Sequence, residues 1–179
     1  MNSLFPWLDA IFNGLGQFLP RRVLMDPTME AVLFRLGNRP AVIKHSNGWF
    51  KTGFHMYVPL VTSLYSTTIL EQNFDLFPQL LVTEDGYKLR LEGVLVCHVI
   101  DTLKLFTKGW EIEEIVIAKT SAAIKRLVTS HEYDFILSPE FDELLLEKVS
   151  EKLAPYGIEV DEVTLSDVCD ALVIVTPEK

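Results

Sequence analysis

Side chains able to carry acid–base, metal or redox chemistry are present in this chain but are not spaced for it. The four histidines, His45, His55, His98 and His131, form no HxH or HExxH pattern, the spacing that brings two imidazoles to one metal. His131-Glu132 is followed by Asp134 without a second histidine, and reads as an exposed helix-end residue. His98 alternates with Val96 and Ile100, as a satisfied core or interface residue would, rather than a base. Glu140, Asp142, Glu143, Glu147 and Glu151 gather on one helical stretch. An acid–base pair needs carboxylates held in differing environments of one pocket, whereas a stripe along a helix is a solvated face. Cys97 and Cys169 lie far apart with no CxxC pair, and fit buried, inert thiols in a reducing compartment. No GxSxG, GxxxxGKS/T or GxGxxG occurs, and Gly14-Leu15-Gly16 lacks the strand that should precede a phosphate loop. The expectation is a protein with no catalytic residue, metal or cofactor.

Composition bounds the rest. The chain has 179 residues, 49% hydrophobic and 23% charged, which is enough for one domain or two small subdomains with a working core. Its net charge of -9 is uneven. Residues 1–101 hold 8 Lys+Arg against 9 Asp+Glu, and residues 102–179 hold 8 against 16. Such an acidic chain repels phosphate backbones, so a nucleic-acid partner is not expected. The acidic C-terminal half is also ill suited to anionic lipid, which leaves the N-terminal end as the part to touch a membrane.

That end reads MNSLFPWLDAIFNGLGQFLP, then Arg21 and Arg22. Leu4, Leu8, Ile11, Leu15 and Phe18 recur at helical spacing, and Phe5, Trp7, Phe12 and Leu19 widen the apolar face. Crossing a bilayer takes ~20 apolar residues, and this run is broken by Asp9, Asn13, Gly14 and Gly16. It also lacks the leading positive charge and the small-residue cleavage site of a secretory signal. An amphipathic helix lying in the interface fits instead. Phe5, Trp7, Leu8, Ile11, Phe12, Leu15 and Phe18 would then be the membrane contacts, with Arg21 and Arg22 at the headgroups. The competing reading is a helix packed on the protein's own core or on another subunit.

The elements that follow are strand-like up to residue 101. EAVLFRL (30–36) ends on a Gly-Asn turn. AVIKH (41–45) and WFKTGF (49–54) flank Ser46-Asn47-Gly48, a type I′ hairpin signal. HMYVPLV (55–61) and SLYSTTILE (63–71) follow, then QLLVT (79–83), the turn Glu84-Asp85-Gly86, and KLRLEGVLVCHVI (88–100) with period two. Beyond Asp101 the period becomes helical. A short helix runs to about Phe106, and 111–130 places Ile112, Ile115, Val116, Ala122, Ala123 and Leu127 on one stripe. Ser138-Pro139 caps another helix with Phe141, Leu144, Leu145, Val149 and Leu153 inward, stopped by Pro155-Tyr156-Gly157. IEVDEVTLSDV (158–168) closes as a strand. The fold class is α+β: an N-terminal amphipathic segment (1–23), an antiparallel β-rich subdomain (24–101), an αα-β subdomain (102–170) and a short tail (171–179).

Three segments, in order, resemble the SPFH or band 7 (stomatin/prohibitin/flotillin) family. Thr52-Gly53-Phe54 through Pro59-Leu60 is similar to its "PG-aromatic…P-aliphatic" stretch, with Thr52 where proline is usual. Thr83-Glu84-Asp85-Gly86, followed by Leu91 to Asp101, resembles its "T-x-D-G…strand…D" core. Tyr156-Gly157-Ile158-Glu159-Val160 through Asp167-Val168 resembles its "GI-x-V…V…D" closing strand. The likeness covers about residues 24–170. It implies a non-enzymatic, membrane-associated scaffold, peripheral or monotopic and facing a reducing cytoplasm. Such a scaffold forms homo-oligomers and organises lipid or membrane proteins, including membrane proteases and ion channels. Family members usually continue into a long coiled coil. Here the sequence ends at Lys179, so the expectation is lateral packing without a wall of long helices. The alternative is a soluble assembly subunit whose N-terminal helix docks on a partner protein, as in a viral or compartment shell.

Overall fold

A computed structural model of the chain describes residues 14–16, 19–37, 39–109 and 111–170, with the backbone alone for 166–170. The predicted amphipathic helix therefore falls mostly outside the described residues. Within it, Gly14, Leu15 and Gly16 are helical. Two compact units result, Met1–Leu70 and Glu71–Lys179.

The strands of unit 1 pair antiparallel. β1 (Arg21–Leu24) pairs with β4 (Phe54–Tyr57) as a ribbon, while β2 (Met29–Arg35) is flanked by β3 (Ala41–Lys44) and β5 (Thr62–Thr68). Ala31 and Leu33 lie two apart on β2 and so share a face. They bury with Met25 and Ile43, and Val23, Tyr57 and Leu64 pack against them. The first strand begins at Arg21, so the segment predicted as an interface helix up to residue 23 gives way to sheet at its two arginines.

The predicted hairpin of 41–45 with 49–54 does not form. His45–Asn47 is a 3₁₀ turn, Gly48 has φ −71°, and β3 pairs with β2 instead. The cause is the Asn47 side chain. Its Oδ1 accepts from Lys44 N (2.8 Å) and its Nδ2 donates to Val42 O (3.1 Å), occupying backbone groups at the point where a hairpin partner would bond.

Unit 2 has a three-stranded antiparallel sheet, β6 (Gln72–Val82), β7 (Lys88–Val99) and β8 (Ile158–Asp170), in the order β6-β7-β8. Between β7 and β8 lie α1 (Thr102–Lys108), α2 (Ile112–Thr129), α3 (Tyr133–Ile136) and α4 (Pro139–Leu153). The period-two reading of β7 holds: Leu89, Leu91, Leu95, Cys97 and Val99 are buried, with Lys88 and Arg90 exposed. Asp101 caps α1, its carboxylate accepting from Lys104 N.

β6 starts seven residues before the predicted QLLVT strand. Pro78 cannot donate to a ladder, and the register with β7 shifts between Leu76 and Gln79. The buried stripe of α2 is Val116, Thr120, Ala123, Ile124, Leu127 and Val128, so Ala122, expected inward, is exposed. On α4, Phe141, Leu145, Val149 and Leu153 are fully buried and Leu144 half-buried. Ser138 does not cap this helix with its side chain, because its hydroxyl donates back to Phe135 O (2.7 Å).

The change of period at Asp101 marks a change of secondary structure. The compact units part earlier, between Leu70 and Glu71, because β6 and β7 bury their apolar face under the helices. With that boundary the charge asymmetry sharpens. Residues 1–70 hold 6 Lys+Arg against 3 Asp+Glu, and residues 71–179 hold 10 against 22.

Candidate functional site

The four histidines bond backbone carbonyls or neighbouring side chains, and Cys97 is buried. His45 and His55 bond backbone carbonyls through their rings, Nδ1 to Met25 O at 2.8 Å and Nε2 to Lys44 O at 3.0 Å. His131, at the end of α2, bonds Leu127 O through Nδ1 (2.7 Å) and stacks on Phe135. The carboxylates of α4 are solvated, as their spacing implies. Lys148 reaches Glu151 at 3.1 Å and Glu147 at 3.5 Å. Burial pushes the Cys97 thiol up to about 12, which removes its thiolate at neutral pH and makes it inert. Among the described residues, no group of three His, Cys, Asp or Glu side chains is placed to hold a metal.

His98 carries the most developed electrostatics. On the half-exposed face of β7, its Nδ1 donates to Asp161 (2.7 Å) and its Nε2 lies 3.6 Å from Glu159, both on β8. The Asp161 hydrogen bond, with further negative charge from Glu159 and Glu71, raises the imidazole above its ordinary value. A raised folded value contributes stability in full below the unfolded value, about 6.5, and loses it as pH rises through the folded value. His98→Gln should therefore be less stable than wild type at acidic pH. The gap should close as pH rises past the histidine titration, in urea titrations across that range. A gap independent of pH would show that the ion pair carries no linkage.

The Thr-x-Asp-Gly stretch has an architectural purpose. Asp85 accepts from the Thr83 hydroxyl and from Tyr133 N, and Glu84 N donates to His131 O (3.1 Å). These bonds fasten the β6–β7 turn to the start of α3. The Thr83 hydrogen bond holds the Asp85 carboxyl below its ordinary value.

Of the residues predicted to touch a membrane, Leu15, Arg21 and Arg22 are described, and all three are exposed. Phe5, Trp7, Leu8, Ile11, Phe12 and Phe18 lie outside the described residues. Leu19, between the helical turn and β1, is 64% exposed. Among the described residues, no helix is long and apolar enough to cross a membrane.

The sequence pattern does not reveal a second apolar projection, because WFKTGF (49–54) reads as a strand. They sit instead on the loop between the 3₁₀ turn and β4, 63% and 91% exposed. Phe50 and Lys51 are consecutive left-handed residues, φ 55° and 56°, an unusual conformation for side chains of this size. The loop is closed by Trp49 N→Phe54 O (2.9 Å), Lys51 N→Gly48 O (3.0 Å) and the Thr52 hydroxyl on Trp49 O (2.7 Å). Its neck is tight. A Cβ on Gly48 would stand 2.7 Å from Gly53 backbone, and one on Gly53 (φ +71°) 2.6 Å from His45 Nδ1 and closer still to Met25 O. The glycine of the "G-aromatic" pair is thus required by a backbone crossing. The visible signal is an aromatic pair directly after Asn-Gly, with two residues between it and the next glycine.

Comparison with known proteins agrees with these motifs. Over 172 residues the chain is 22% identical to an uncharacterized protein of Methanocaldococcus jannaschii, covering 94% of this chain and 82% of that one. It is 24% identical over 142 residues to an uncharacterized protein of Archaeoglobus fulgidus, spanning 78% of this chain and 54% of that relative's length. Residues 26–172 match the SPFH domain / Band 7 family, a span that takes in β2 to β8 and α1 to α4. The three motifs, the β-rich unit and the helix-backed sheet belong to one pattern, and the chain is a member of the SPFH domain / Band 7 family.

Proposed function

We propose that this chain is a membrane-surface scaffold, held at the bilayer by its N-terminal segment and associating laterally with copies of itself to organise lipids or membrane proteins. The family is a scaffold-like one, generally without enzymatic activity. The observation that carries the membrane part is the division of charge and polarity between the units. Residues 1–70 are net basic and include exposed Leu15, Leu19, Arg21 and Arg22, whereas residues 71–179 hold 22 acidic side chains against 10 basic. Anionic lipid attracts the first composition and repels the second. Membrane proteases and ion channels are the partners this reading favours.

Flotation on vesicles tests it. The full chain should rise with phosphatidylcholine vesicles containing a minority of phosphatidylglycerol. Trp7→Asp/Phe12→Asp should cut the bound fraction by about tenfold without altering the melting curve. Binding unchanged by that pair would remove the N-terminal segment as the anchor. Lipid-independent oligomers that the same pair disperses would favour an assembly subunit docked through protein.

A further inference from the structure

Alternation sorts the side chains of the β1–β4 ribbon onto two faces. Val23 and Tyr57 turn to the unit 1 core. Arg22 pairs with Met56 and Leu24 with Phe54, so these four share the other face. On that face Leu24 is 67% exposed, Met56 42%, and Phe54 half-buried. Trp49 extends it, its ring 6.3 Å from Phe54, and Phe50 projects beyond at the loop tip. The result is an apolar strip with Lys51 at one end and Arg22 at the other.

Two facts give this strip an occupant. The loop backbone is fixed by its own hydrogen bonds and by the Gly48–Gly53 crossing, so Phe50 is held outward rather than left to fold back on the protein. Uncommon backbone conformations held by their surroundings cluster at functional contacts, and this one exposes a large apolar ring. The strip's ends are cationic and lie in the net basic unit of an otherwise acidic chain. Aromatic rings flanked by cations suit the boundary between acyl chains and anionic headgroups.

We propose that the loop 48–53 and the outward face of the β1–β4 ribbon form a second lipid contact, with Trp49 and Phe50 seated in the interface of an anionic bilayer. This rests on the membrane-surface reading and extends it to the SPFH domain itself. Arg21 pairs with Tyr57 and Leu24 with Phe54, so the chain enters the ribbon at the end away from the loop. Four strand residues span about 10 Å. The two contacts are built from separate segments of the sequence, and each can be removed alone.

The test uses the full chain and vesicles of phosphatidylcholine with a minority of phosphatidylglycerol. Trp49→Ser/Phe50→Ser should lower vesicle binding by about tenfold or more at an unchanged melting temperature. In a Trp7→Phe/Trp110→Phe protein, the remaining Trp49 should shift to shorter wavelength on binding and be quenched by lipids brominated near the headgroup. If the wild type floats, the serine pair binds within about twofold of it and Trp49 stays unquenched, the loop lies in water. The second contact is then lost while the N-terminal anchor stands. If the wild type does not float at all, the membrane reading and this contact fall together. If the serine pair binds vesicles normally but changes the oligomeric mass in lipid-free buffer, the strip is a protein interface and the proposal is overturned.

Discussion

Phe141→Ala is expected to cost unit 2 about 3–5 kcal/mol, the range for emptying a large aromatic site in a well-packed core. Phe141 is completely buried in the first turn of α4 and meets Phe135 edge-on, with ring centroids 6.1 Å apart. It begins the stripe that Leu145, Val149 and Leu153 continue along α4, within the cluster that also takes in the inner face of β7 and the buried side of α2. Collapse around the void would have to move both helices, so the cavity term should persist. Urea unfolding followed by the helical circular-dichroism signal reports this unit, because α1 to α4 all lie in it. A loss below about 1 kcal/mol would mean that the helices do not pack on the sheet as described.

Gly157→Ala should cost about 2–4 kcal/mol, because two independent penalties meet at one residue. Gly157 is left-handed, φ +75°, and terminates the 3₁₀ turn after α4. An alanine Cβ there would stand 2.8 Å from Asp101 Cβ and nearer still to the Asp101 carbonyl oxygen. The approach cannot be relaxed locally, since Gly157 O accepts both Ile100 N (2.9 Å) and Asp101 N (3.1 Å). Those bonds register β8 on β7 and set the helix cap that Asp101 supplies. Gly86→Ala is the control. Gly86 also has positive φ, +91°, but an added Cβ would meet nothing within 4 Å, so only the backbone penalty of about 1 kcal/mol remains. Equal losses at the two glycines would refute the part assigned to the Asp101 contact.

Unit 2 was the more legible half of the fold. β7 alternates over its whole length, α2 and α4 carry helical stripes, and Gly157 stands where a left-handed residue ends a helix. Errors arose where one side chain outweighed a local pattern. Asn47-Gly48 has the composition of a hairpin turn, but Asn47 spends its amide on Lys44 and Val42 and turns the chain as 3₁₀. Pro78 hid the first half of β6, since a proline inside a strand argues against one unless a register shift absorbs it. The inward face of α2 includes Thr120, a polar residue that a purely apolar stripe passes over. At the candidate site, composition pointed to the N-terminal segment and to Arg21 and Arg22. The outward aim of Trp49 and Phe50 depends on backbone angles at Phe50 and Lys51 that their residue types do not favour.

The order β6-β7-β8 has a consequence during synthesis. β7 meets β6 at once across a tight turn, but its other edge pairs with β8, from Val99 with Ile158 to Leu89 with Asp170. Four helices emerge from the ribosome in between, and none can bury its stripe on a complete sheet until the last strand arrives. All the strand pairings of unit 1 lie before Leu70, so that unit can close while unit 2 is still being made. The entropy of closing the longer loop falls on the β7–β8 pairing. A nascent chain halted before Ile158 therefore holds Leu89, Leu91, Leu95 and Val99 on a strand with one open edge, the state in which chaperones or proteases meet it.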